Sequence, residues 1–272
     1  MDKISLAGDL GSGKSTVSKL LIERLGADYY STGTVVRSIA ERMGMTIGEL
    51  NKYMESHPEI DNEIDDGLAR LAEDDRLLII DSRMAWHFTP GTFKVYLTVD
   101  LETSAIRIMM ANRRGEHAAT LEDTVRDTLS RRESEQKRYL DQYGVDIKDL
   151  SNYSFVIDTT DATPEEICDR IIDAFRIWQT DKSYRAAAIS PLRLRFIDDE
   201  VDMMTVSDLS DTIDLGGTVP PITAFYHNGD FYIEEGTESA LAYSLSGSNL
   251  IPVTIIDGTP GDRCYVSMKN SL

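Results

Sequence analysis

Ile4-Ser5-Leu6-Ala7-Gly8-Asp9-Leu10-Gly11-Ser12-Gly13-Lys14-Ser15-Thr16 is the stretch on which the reading of the whole chain turns. Ile4–Ala7 has the composition of a short buried strand. From Ser15 onward Val17, Leu20, Leu21 and Leu25 fall on one helical stripe. Between them, Gly8 to Ser15 fits G-x-x-x-x-G-K-[ST] completely, in the strand–turn–helix setting that the pattern requires. Glycines let the backbone curl so that successive N–H groups converge on phosphate oxygens, and the following helix adds the positive end of its dipole. The expected phosphate-binding residues are Gly8, Asp9, Gly11, Ser12, Gly13, Lys14, Ser15 and Thr16. Lys14 would bridge the β- and γ-phosphates and the Ser15 hydroxyl would ligate Mg²⁺, so ATP and Mg²⁺ are the implied cofactors.

Outward from this loop, residues 1–178 alternate short apolar runs with helical patterns, the rhythm of an α/β domain with a parallel sheet. Further strands are expected at Asp28–Tyr30, at Leu77–Ile80, at Phe93–Val99 and at Phe155–Ile157, the last closing the count. The continuous run Leu77-Leu78-Ile79-Ile80 suits a central strand buried on both faces. Asp81 at its end has the position of a Walker-B carboxylate, able to hold Mg²⁺ or its water, or else to cap a helix. Thr46 with Glu49 forms a capping box, Pro58 opens a helix, and Asp100 caps one over 101–114. Thr120 and Asp123 begin a long polar helix toward Tyr143, and Thr163-Pro164-Glu165-Glu166 starts the last helix of this part.

Periodicity fades over 179–192, the expected linker. Residues 193–272 then read as a small α+β domain. They carry a strand over 219–226, hairpin chemistry at His227-Asn228-Gly229, a returning strand over 231–234, a helix over 237–245 and a strand over 251–256.

The formal charge of −19 on 272 residues excludes the basic footprint that duplex nucleic acid demands. Single nucleotides stay possible, because a pocket of Arg and Lys can be locally positive. Cys168 and Cys264 stand in no metal or redox spacing and read as small buried groups. No signal-peptide pattern and no apolar run of roughly 18–20 residues occurs, so a cytoplasmic protein with no membrane contact is expected.

Residues 1–176 resemble the archaeal-type cytidylate kinases among the nucleoside monophosphate kinases. The resemblance rests on the glycine loop, Ser31-Thr32-Gly33, Arg37, Glu49-Leu50-Asn51-Lys52-Tyr53 and Pro58-Glu59-Ile60-Asp61-Asn62-Glu63-Ile64-Asp65. It continues through Asp81-Ser82-Arg83-Met84-Ala85-Trp86, Arg131–Tyr139 and Tyr143-Gly144-Val145-Asp146. It implies a P-loop kinase with an acceptor-binding region near 31–75 and a lid near 113–120. The implied substrate-binding set is Ser31, Gly33, Arg37, Asp61, Asp65 and Arg83. Arg37 and Arg83 would grip the acceptor α-phosphate, which a planar guanidinium meets with paired hydrogen bonds.

The implied catalytic set is Lys14 with Arg107, Arg113, Arg131 and Arg132; spacing does not say which lid arginine acts. Thr34 stands where many relatives carry an acid, and Ser82 stands where they carry glycine. The reaction implied is ATP-dependent phosphorylation of CMP or dCMP. The alternatives are a P-loop kinase for another small metabolite, or an ATP-gated interaction protein.

The C-terminal part is similar to ParB/sulfiredoxin-type domains, through Val219-Pro220-Pro221-Ile222, the Asn228-Gly229 turn, Gly236 opening a helix, and Ile251-Pro252-Val253. Glu238 follows that glycine, where the family places basic residues for phosphate, and no cysteine stands at the sulfiredoxin catalytic position. The expectation is a degenerate module that binds a protein partner or mediates self-association.

Overall fold

The computed structural model describes residues 2–54, 56–111, 120–198 and 201–270. The first half is built from β1 (Ile4–Gly8), α1 (Lys14–Leu25), β2 (Asp28–Ser31), α2 (Thr32–Met43), α3 (Ile47–Met54) and α4 (Pro58–Arg70). It continues with β3 (Leu78–Asp81), α5 (Ala85–Phe88), β4 (Phe93–Thr98), α6 (Leu101–Met110), α7 (Leu121–Tyr143), β5 (Phe155–Asp158) and α8 (Pro164–Thr180). Helix starts fall where the side chains can satisfy free amides. Thr46 and Glu49 exchange hydrogen bonds before α3 (2.7 and 3.2 Å), and Thr163 with Glu166 completes a capping box on α8.

Strands β2-β3-β1-β4-β5 run parallel in that order. Residues of one strand parity (Ile4, Leu6, Phe93, Val95, Leu97, Phe155, Ile157) meet Val17 and Leu21 of α1 and Ile171, Phe175 and Trp178 of α8 in one apolar core. Because their carboxyl ends align, Gly8, Asp81, Thr98 and Asp158 share one edge of the sheet, where the phosphate loop begins.

The count of strands does not close at β5. A sixth, β6 (Ala186–Ile189), lies parallel to β5 inside the stretch expected to be a linker. Its run of alanines carries little strand propensity and no alternation, which is why the pattern faded there. Beyond it come β7 (Leu194–Phe196), α9 (Met203–Asp214), β8 (Thr223–His227), β9 (Asp230–Glu235), α10 (Thr237–Leu245), β10 (Ile251–Ile256) and β11 (Val266–Ser267). The expected strand over 219–226 begins later, at Thr223, after the Pro220-Pro221 pair that cannot donate to a ladder.

Strand β10 joins the two halves. Ile251–Val253 pairs antiparallel with β6, and Thr254–Ile256 pairs parallel with β8. The described residues thereby form one order of eleven strands, β11-β7-β9-β8-β10-β6-β5-β4-β1-β3-β2. Asn228 (φ 51°) and Gly229 (φ 94°) make the β8–β9 turn, both in the left-handed region that such a hairpin needs.

A second core fills the other face of the first sheet half. Ala7, Tyr96, Val156 and Ala187 pack there with Trp86 and Tyr153, and also with Phe196, Ile222, Phe231 and Leu241 of the C-terminal part. Burying a side chain of this size is worth about 1.5–3 kcal/mol, so several such contacts tie the halves firmly. Cys168 is buried as expected; Cys264 is exposed, and both are free thiols.

Candidate active site

The phosphate loop is held open by its glycines and by the elements beneath it. A Cβ on Gly8 (φ 145°) would lie 2.3 Å from the Leu97 carbonyl oxygen, and one on Gly11 (φ 71°) 2.7 Å from that of Ser104. No other residue fits either position. The Asp9 amide donates to the Leu97 carbonyl (2.9 Å), and the Ser104 hydroxyl of α6 donates to the Leu10 carbonyl (2.5 Å). Buried Ser12 closes the turn onto the Asp9 carbonyl (2.8 Å). No side chain caps α1 and no acid occupies its first turn, which leaves the helix start suited to an anion.

Lys14 Nζ folds back onto the carbonyls of Gly8 (3.0 Å) and Asp9 (2.9 Å). Burial, with the Arg83 charge beside it, pushes the Lys14 ammonium down to about 7. An arriving phosphate would restore its charge. Ser15 and Thr16 keep exposed hydroxyls at the helix start. Asp81, at the end of β3 next to β1, accepts from the Tyr29 hydroxyl (3.0 Å).

Asp9, expected among the phosphate-binding residues, turns its side chain away from the loop. Its carboxylate is buried and accepts from Tyr96 (3.0 Å), Thr98 (3.2 Å), the Val99 amide (3.2 Å) and Lys148. Burial opposes its ionisation, yet the Lys148 and Arg132 charges and these hydrogen bonds hold it well below the usual carboxylate range. Only its backbone is left to face phosphate. Lys148 was not foreseen; the signal for it is Asp9 itself, an acid inside an anion-binding loop that has to be neutralised from below.

The arginines divide. Arg132 of α7 donates to the Leu10 carbonyl (3.3 Å), and Arg131 meets Glu135 (3.5 Å). Arg83 donates to the Gly8 carbonyl and pairs with Glu135, both close contacts. Burial alone would weaken the Arg83 charge, but Glu135 keeps it protonated. Arg107, expected among the catalytic residues, points elsewhere: its guanidinium donates to the carbonyls of Thr159 (2.6 Å) and Thr160 (3.2 Å) and to the Thr159 hydroxyl (3.2 Å). Arg113 and the expected lid near 113–120, apart from Thr120, lie outside the described residues.

On the acceptor side, buried Ser31 and Gly33 sit beside Arg37, whose Nη1 would lie 3.5 Å from a Cβ on Gly33. Arg37 is exposed and donates to Thr34 (3.1 Å). Asp61 and Asp65 lie one turn apart on α4. Asp61 is buried and its Oδ2 has no hydrogen-bond partner among the described residues; Arg138 Nε, from α7, has none either. The two charges feel one another: burial pushes the Asp61 carboxyl up and Arg138 draws it down. Asp65 accepts from the Tyr143 hydroxyl, and burial pushes its carboxyl up to about 6. Arg138 is one of the α7 arginines expected to converge on the transferred phosphate, and the structure sets it beside Asp61; Tyr143 had been given no role.

An AAA domain family model matches residues 4–138. The cytidylate kinase of Thermoplasma volcanium is 40% identical over 172 residues, covering 61% of this chain and 86% of that protein. The cytidylate kinase of Sulfurisphaera tokodaii is 36% identical over 174 residues, covering 63% and 93%. An S-adenosylmethionine-dependent nucleotide dehydratase of Lacinutrix mariniflava is 38% identical over 175 residues, which make up 64% of this chain and 36% of that relative. The chain thus spans about a third of that longer protein. The crystal structure of an uncharacterized protein from Eubacterium ventriosum superposes with a TM-score of 0.50 at 15% identity, over 65% of this chain and 99% of its own, a likeness of fold alone.

A parallel 2-3-1-4-5 sheet whose first strand opens into a glycine cradle with Lys14 defines a P-loop kinase fold. With relatives at this identity, nearly their full length covered, the chain belongs to the cytidylate kinase family.

Proposed function

We propose that the chain transfers the γ-phosphoryl group of ATP to CMP or dCMP, yielding the nucleoside diphosphate and ADP. The observation that carries the choice of base is the pair of buried atoms without partners, Asp61 Oδ2 and Arg138 Nε, on facing helices. A carboxylate accepts from the amino group of cytosine, whereas a guanidinium donates to its carbonyl oxygen or ring nitrogen. Uracil presents the opposite pattern at the amino position. Leaving such atoms unpaired costs about 1–3 kcal/mol each, which a correctly matched base would relieve.

In this reading the loop amides, Lys14 and the α1 start hold the ATP phosphates. Arg37 and Arg83 hold the acceptor phosphate. One acceptor phosphate oxygen forms a bond to the γ-phosphorus as the bond to the β–γ bridging oxygen breaks, and ADP departs. Such a step asks for alignment and neutralisation of charge more than for covalent chemistry. Arg131 and Arg132, from the helix that already touches the loop, supply that neutralisation, with Arg113 a further candidate. Mg²⁺ would be held by the Ser15 hydroxyl and Asp81, the remaining ligands being phosphates and water; it neutralises the phosphate charge. Two oxygen donors at the mouth of the loop fit that demand.

The kinase is assigned to residues 1–178, and residues 193–272 to a ParB/sulfiredoxin-like module. Gly236 (φ 88°) supports the second assignment: it opens α10 where a Cβ would lie 2.5 Å from the Pro221 carbonyl oxygen. Glu238 in the first turn of α10 opposes phosphate there, so the module serves a protein partner or self-association rather than a second reaction. No helix among the described residues is long and apolar enough to cross a membrane; the nucleotide pools of the cytoplasm are the assigned setting.

Purified full-length chain with ATP, Mg²⁺ and a panel of nucleoside monophosphates tests the assignment. ADP formation dependent on CMP or dCMP is expected, and its absence with every pyrimidine nucleotide sinks the reading.

A further inference from the structure

Through Arg193, in the 3₁₀ turn between β6 and β7, the C-terminal part reaches the end of a kinase strand with a buried charge. Its Nη1 meets Asp158 at 2.9 Å, with Arg193 8% exposed and Asp158 not exposed at all. The same guanidinium donates to the Thr160 hydroxyl (3.0 Å) and to the Gly229 carbonyl in the β8–β9 turn (2.8 Å). Ser190 completes the clasp: its amide donates to Asp158 (3.3 Å) and its hydroxyl to Asp161 (2.6 Å). A planar fork spreads its fixed donors over several nitrogens and so reaches three acceptors from two parts of the chain at once, whereas the donors of an ammonium all radiate from one nitrogen.

The turn gripped in this way is itself a support. Arg107 of α6 donates to both Thr159 and Thr160 carbonyls, and the Asp100 amide at the start of α6 donates to the Thr160 hydroxyl (3.1 Å). One turn before Arg107 on the same helix, Ser104 holds the Leu10 carbonyl and backs Gly11. A continuous series of short contacts therefore runs from Arg193 through the 158–160 turn and α6 to the phosphate loop.

We propose that Arg193 is a positioning residue for ATP: by fixing the 158–160 turn, the C-terminal part sets α6 and the phosphate loop in their nucleotide-binding arrangement. The kinase half is then incomplete without the chain that follows it. This rests on the reading of the loop as the ATP site and bears first on the ATP side: the series meets the loop at Leu10 and Gly11, whereas Arg83 meets it at Gly8, and no contact of the series reaches Arg37, Asp61 or Arg138.

The test measures dissociation constants for MgATP and for CMP separately, by calorimetric titration of the full chain, alongside the melting temperature. Arg193→Met is expected to weaken MgATP about tenfold while CMP stays within twofold. It also leaves the Asp158 charge buried without its partner and lowers the melting temperature. The double variant Arg193→Met, Asp158→Asn removes that mismatch. Its melting temperature should return most of the way while MgATP remains about tenfold weak, a separation that a purely structural role does not produce. Arg193→Lys, charged but without the fork, should fall between. MgATP affinity within twofold of wild type in the folded double variant, or ATP and CMP constants that shift together, overturns the proposal. Wild-type chain that binds no MgATP overturns the ATP reading itself, and is seen before any variant is made.

Discussion

The donor and acceptor sides of the site are built differently. Around the phosphate loop the main-chain oxygens of Gly8, Asp9 and Leu10 and the one carboxylate are engaged. Gly8 receives Lys14 and Arg83, Leu10 receives Ser104 and Arg132, and Asp9 receives four donors. On the other side Arg37 has Thr34 alone, Asp65 has Tyr143 alone, and Asp61 Oδ2 and Arg138 Nε have no partner among the described residues. The first arrangement is preorganised: its amides keep their positions whatever arrives, which is the condition for stabilising charge without rearrangement. The second leaves bonds for a ligand to make. Affinity and selectivity for the acceptor should therefore respond to single residues there, while transfer itself should respond to the loop.

The largest expected effect falls on the loop. Lys14→Ala should lower the rate of transfer by about 10²–10³-fold, the scale of one lost group that stabilises developing charge, with the circular dichroism spectrum unchanged. A coupled assay for ADP reads it, and activity within tenfold of wild type would remove Lys14 from the mechanism. Next comes Arg37→Ala. Its side chain is exposed and, among the described residues, hydrogen-bonds to Thr34 alone, so stability should hold. The KM for the acceptor should rise about 10- to 100-fold, the worth of a charged hydrogen-bond pair of roughly 1.5–3 kcal/mol, and the KM for ATP should not move. Equal shifts in both would erase the distinction between the two sides.

That same distinction governs how much could be read from residue order. The phosphate loop lies within eight consecutive positions whose spacing is dictated by one anion, so Gly8–Ser15 announces itself. Parallel strands announce themselves too, through runs such as Leu78–Ile80 that are buried on both faces. The support for Asp9 is not legible, because Lys148 lies 139 positions away and its neighbours carry no pattern. Arg138 was visible as one arginine among several on α7, but only the approach of α4 gives it a facing acid. Arg107 was misjudged for a related reason: sequence shows a cation near a lid, and only the fold shows three oxygens of the 159–160 turn already claiming it. In the C-terminal part, α9 had a readable signal in Asp202 followed by Val206, Leu209 and Ile213, at helical spacing. Strand β6 had none, since Ala186–Ala188 lacks both branching and alternation.

A smaller effect sharpens the acceptor side. Asp61→Asn replaces an acceptor by a group that also donates, and a donor there suits the carbonyl of uracil. Preference for CMP over UMP, as a ratio of kcat/KM, should fall about tenfold, within the roughly 1–3 kcal/mol that one base-reading contact provides. An unchanged ratio would detach Asp61 from the base and return it to the packing of α4.

The smallest expected effect is on stability, and its sign follows from Asp65. Burial raises its carboxyl from the ordinary 3.8 to about 6, against the pull of the Tyr143 hydrogen bond. Between about pH 4 and 6 the folded chain therefore holds a proton that the unfolded chain has already released. Folding is favoured by this group below that window, the advantage declines as pH rises through it, and the decline ends above about pH 6. Asp65→Asn carries no such charge, so relative to wild type it should gain between pH 4 and pH 7.5. Because the carboxyl is only partly buried, solvent screening limits the gain to about 1 kcal/mol. Urea denaturation at the two pH values measures it. The same difference between variant and wild type at both would mean that Asp65 is ionised alike in the folded and unfolded chain, and that burial does not hold a proton on it.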